Sequence, residues 1–64
     1  MENEYYLILV ELMTHKNECE YRYESDRKTL GEFHEATLHR AQMLKDAEKA
    51  IELFEKIIDR EDQQ

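Results

Sequence analysis

His15 and Cys19 stand four residues apart, a spacing that would set two metal ligands on one face of a helix. If the chain folds back on itself, His39 could approach Cys19, but a zinc site needs a fourth ligand that no residue supplies. Cys19 also falls in phase with the apolar residues around it, where cysteine acts as a small buried hydrophobe. The expectation is therefore no metal site, with His15 and His39 at the surface.

Carboxylates are abundant, yet paired acid/base catalysis needs two of them held in a cleft with separated pKa values. The sequence has no Gly-rich phosphate loop, no His-Glu-x-x-His and no framed Ser/His/Asp set. It predicts no catalytic residue, no cofactor and no small-molecule substrate, and hence a protein that is not an enzyme. Tyr21, Arg22 and Tyr23 are types enriched at interface anchors. Tyr21 is the member of that trio taken as a candidate for partner binding, with Tyr23 in the core.

The elements that must position these residues are helices. Proline is absent, Gly31 is the single glycine, and Glu, Lys, Leu, Ala, Arg and Gln dominate. Leu30, Phe33, Leu44, Ala47, Ile51, Phe54 and Ile58 alternate at three- and four-residue spacings, an a/d heptad series interrupted by Thr37 and Arg40. Ala36, Met43, Ala50 and Ile57 fill the adjoining g positions and widen the seam toward that of a packed bundle. The same register, carried backwards, puts Tyr5, Leu12 and Cys19 at d and Leu9, Lys16 and Tyr23 at a, with Asp26 a polar interruption at d.

Pattern continuity fits one long helix or two folded back. Thr29 followed by Glu32 matches a capping box, and Arg27 and Lys28 suit a preceding helix C-terminus. The sequence thus predicts an all-α, coiled-coil-like antiparallel hairpin. It forms one domain over 1–64, with helix 1 at about 3–27, a turn at about 26–30 and helix 2 at about 30–61. Cys19 would then approach Leu38, and the 5–13 segment would lie against 44–52. Glu18/Arg22, Glu24/Lys28 and Glu52/Lys56 are spaced for surface ion pairs.

The segment Tyr5-Tyr6-Leu7-Ile8-Leu9-Val10-Glu11-Leu12-Met13 breaks the amphipathic rule. Its apolar residues cover every face, more than one neighbouring helix can shelter. Tyr6, Leu7, Ile8, Val10 and Met13 are accordingly read, with Tyr21, as the partner-binding surface. A chain of 64 residues is at the margin of stable folding, and oligomerisation is the remedy this sequence supports. A homodimer completing a four-helix bundle is expected.

Net charge is −7, and carboxylates flank the basic residues along the chain, which opposes direct nucleic-acid binding. The apolar run is about half a bilayer-spanning length, so neither a signal peptide nor a membrane role is expected. A lone cysteine permits no internal disulfide and suits a reducing compartment, the cytoplasm. Two helices of similar length with heptads in phase across the turn are similar to plasmid Rop proteins and to small type III secretion co-chaperones. Rop-like RNA binding would imply basic side chains on the outer face of the paired first helices, and the first half offers only Lys16 and Arg22 before the turn. The sequence therefore reads as a small acidic adaptor or regulator that pairs with itself and binds another protein. Alternatives are a co-chaperone shielding a hydrophobic helix, or an acidic inhibitor of a nucleic-acid-binding protein.

Overall fold

The computed structural model describes residues 2–62 of the chain, and side chains from 4 to 60. Two helices, α1 (Glu2–Leu30) and α2 (Glu35–Asp62), lie antiparallel along one another. The molecule measures 47 × 16 × 10 Å, and its radius of gyration is 14.7 Å. A globule of this length would have about 10.7 Å.

The connection comes later than the capping signature suggests. It occupies residues 31–34 rather than 26–30, and Thr29 lies inside the last turn of α1. Gly31 decides the position. At φ +99° it adopts a conformation that strains any residue bearing a side chain but not glycine, and its N–H donates to the Arg27 carbonyl at 3.0 Å. Arg27 and Lys28 fall in the last turn of α1, where positive charge meets the helix dipole. A 2.7 Å bond from Arg27 to Glu24, and then the charge of that carboxylate, raise the guanidinium pKa above its ordinary value. Helix α2 is capped by His34 instead of Thr29: its Nδ1 accepts from the Ala36 N–H at 3.0 Å, and its carbonyl accepts from Leu38 at 2.9 Å. An imidazole nitrogen thus fills the acceptor role usually taken by a hydroxyl or carboxylate.

The heptad reading of the seam holds from Leu9 onward, while Tyr5, expected at d, is exposed. Leu9, Leu12, Lys16, Cys19, Tyr23 and Asp26 on α1 are buried or half-buried, as are Thr37, Arg40, Leu44, Ala47, Ile51, Phe54 and Ile58 on α2. Leu30 and Phe33, expected to begin the second series, instead stand exposed at the turn. The later turn also slides the facing register. Cys19 sits level with Arg40 and Met43, while Leu38 is exposed. Tyr5 meets Phe54 with ring centroids 6.0 Å apart and a 43° tilt, which closes the open end of the hairpin.

The two polar interruptions of the seam answer each other. Arg40 Nε donates to Asp26 Oδ2 at 3.3 Å across the helix pair, both side chains about one-third exposed or less. A slip of one heptad would leave each against apolar neighbours, so the pair favours one register. Of the expected surface pairs, Glu52–Lys56 forms at 3.9 Å, but Glu24 turns to Arg27 rather than Lys28. No Glu18–Arg22 ion pair forms among the described residues. No helix among them is long and apolar enough to cross a membrane.

Candidate functional site

Burial inside the hairpin is slight. Only Cys19, Thr37 and Ala47 fall in the buried class among the described residues. The accessible surface is 5329 Å². A compact monomer of 7.8 kDa would expose about 4,400 Å². The difference, roughly 900 Å², is close to the share one partner contributes to a standard protein interface, about 800 Å².

Six of the twelve exposed large hydrophobic side chains, Tyr5 among them, lie on α1 near its start. Tyr6 is 66% exposed, Leu7 62%, Ile8 46%, Val10 40% and Met13 48%. Five of the six residues read from the sequence as partner-binding are therefore exposed together near the start of α1. Tyr21, at 77%, is exposed too, but it borders a separate hollow with Glu18, Arg22, Ser25, Asp26 and Arg40. The first five and Tyr21 do not form one patch.

Heptad geometry sorts four of the five into two flanks and leaves Leu7 between them. In an antiparallel pair the e positions of the two helices lie along one flank and the g positions along the other. On the g flank, His15 borders Met43, Asp46, Ala47 and Ala50. Ile8 is one heptad from His15, and Ile57 one heptad from Ala50, with Leu53 beside it. Ile57 and Leu53 are 46% and 48% exposed, so this flank is apolar on both helices.

The e flank is unlike it. Met13 and Ile51 floor a groove of about 280 Å³ walled by Lys16, Glu48, Glu52 and Glu55. Tyr6, one heptad before Met13, and Val10, beside it, extend the apolar α1 wall. The α2 wall is acidic. Leu7 points directly away from the seam, between the flanks.

The His15–Cys19 pair is a contact, at 3.5 Å from Nε2 to Sγ, beside a hollow of about 230 Å³ that also touches Glu18, Arg22, Arg40 and Met43. His39 is exposed and does not border it. No group of three metal-ligating side chains occurs among the described residues. Thr37 interrupts the apolar series. It is fully buried, and its Oγ1 has no hydrogen-bond partner.

Sequence reasoning missed the groove. Its signal was present as the repeated e positions, Tyr6 and Met13 on one helix and Glu48 and Glu55 on the other, but joining them required the facing register. Compared with family models, curated proteins and solved structures, the chain matches none of them.

Proposed function

We propose that the chain is a small interaction module that works by binding rather than catalysis, pairing with a second copy and engaging another protein. The observation that carries this reading is the balance of apolar side chains: three buried residues among those described, against two flanks rich in exposed large side chains. The second copy takes the g flank, where Ile8, Met43, Ala50, Leu53 and Ile57 offer an apolar stripe suited to a four-helix bundle. The e flank, with Tyr6, Val10 and Met13, is left for a different protein. A single shielded thiol suits a reducing compartment, and the cytoplasm is the proposed place of action.

Light scattering and circular dichroism over a dilution series test the pairing. The wild-type chain should run at the mass of two copies, and Ile8→Asp with Ile57→Asp should bring it to one copy with loss of helicity. A fully helical single-chain species that persists on dilution would remove the reading.

A further inference from the structure

We infer that the e-flank groove receives an amphipathic helix that carries lysine or arginine at seven-residue spacing beside its apolar stripe. The inference rests on the binding role proposed above and adds the chemistry of the partner.

The walls of the groove differ in kind. The α1 wall is Tyr6, Val10 and Met13, and Ile51 lies on the floor. Such a surface matches the apolar stripe of a helix, whose anchors recur every three or four residues. The α2 wall carries Glu48, Glu52 and Glu55. Glu52 is already engaged, with Lys49 at 3.8 Å and Lys56 at 3.9 Å. The cation bordering the groove, Lys16, is turned to Glu20 at 3.8 Å. Glu48 and Glu55 are exposed and have no cationic partner among the described residues.

These two carboxylates are one heptad apart, about 10.5 Å along α2. A helix laid antiparallel or parallel to α2 presents residues seven apart at that same interval. Two cations so spaced would meet both carboxylates while the residues between them covered Met13 and Ile51. A second copy of this chain is a poor occupant. At the matching e positions it offers Tyr6 and Met13 or Glu48 and Glu55, and its carboxylates would face like charge.

The test uses the full chain and two synthetic helical peptides of about 20 residues with the same leucine stripe. One has lysines at seven-residue spacing on the stripe's edge, and the other has glutamates there. Fluorescence anisotropy should show the lysine peptide binding at one per chain and the glutamate peptide not binding. Glu48→Gln with Glu55→Gln should weaken binding at least about fivefold. Removing the same charge at the turn, Glu32→Gln with Glu35→Gln, should change it less than about twofold. Glutamine keeps helix propensity, and circular dichroism checks that each variant folds.

The inference is overturned if neither peptide binds, if both bind equally, or if the two double variants lose affinity alike. It is also overturned if the lysine peptide splits the dimer, since the groove would then belong to the second copy. An intact dimer that ignores the peptide removes this inference alone. A single-chain species that binds it with the stated pattern removes the homodimer and keeps the groove.

Discussion

Thr37 combines two conditions that seldom coincide: its side chain is fully buried, and its hydroxyl oxygen has no partner. A buried polar group left without a hydrogen bond costs about 1–3 kcal/mol. Thr37→Val keeps the shape and removes the orphan, so it should stabilise the hairpin by about 1 kcal/mol, read as a thermal midpoint several degrees higher. An unchanged or lower midpoint would mean that the hydroxyl has a partner in solution. At this scale the sequence was only half legible. Thr37, Arg40 and Asp26 were all visible as breaks in the heptad series, but Asp26 and Arg40 lie far apart in the chain, and only the folded register makes them a pair. The break at Thr37 received no such answer.

For the elements, the two helices and their seam were readable because heptad phase is a local property that survives a turn. The position of the turn was not. Thr29 and Glu32 make a standard start signal, whereas Gly31 makes an equally good stop signal two residues further on, and the two cannot both be used. The stop won, and the start passed to His34, whose ring nitrogen lies outside the usual set of capping groups. Gly31→Ala tests that account. Nothing lies within 4 Å of where the added Cβ would go, so the cost is purely conformational, about 1–2 kcal/mol for a side chain held at positive φ. Denaturant unfolding should show that loss with an unchanged slope. A neutral result would place the stop signal elsewhere in the 31–34 connection.

At the level of the whole molecule, shape and charge pull in opposite directions. An elongated hairpin with a radius of gyration of 14.7 Å leaves apolar flanks wanting a neighbour, but a net charge of −7 per chain makes two copies repel. Raising the ionic strength should therefore tighten self-association, seen as a smaller dissociation constant by sedimentation or light scattering. The same change should weaken capture of a cationic helix, whose attraction it screens. Opposite salt responses would separate the two flanks in one experiment. If both weaken together, ion pairs rather than apolar contact hold the copies to each other.

Cys19, only 5% exposed at the middle of the seam, makes the protein its own probe of breathing. A thiol-modifying reagent reaches that sulfur faster when the helices part, so a change in its rate of modification under native conditions reports a change in that excursion. No fluorophore or isotope has to be introduced, and any companion that clamps the helices together announces itself by slowing the reaction.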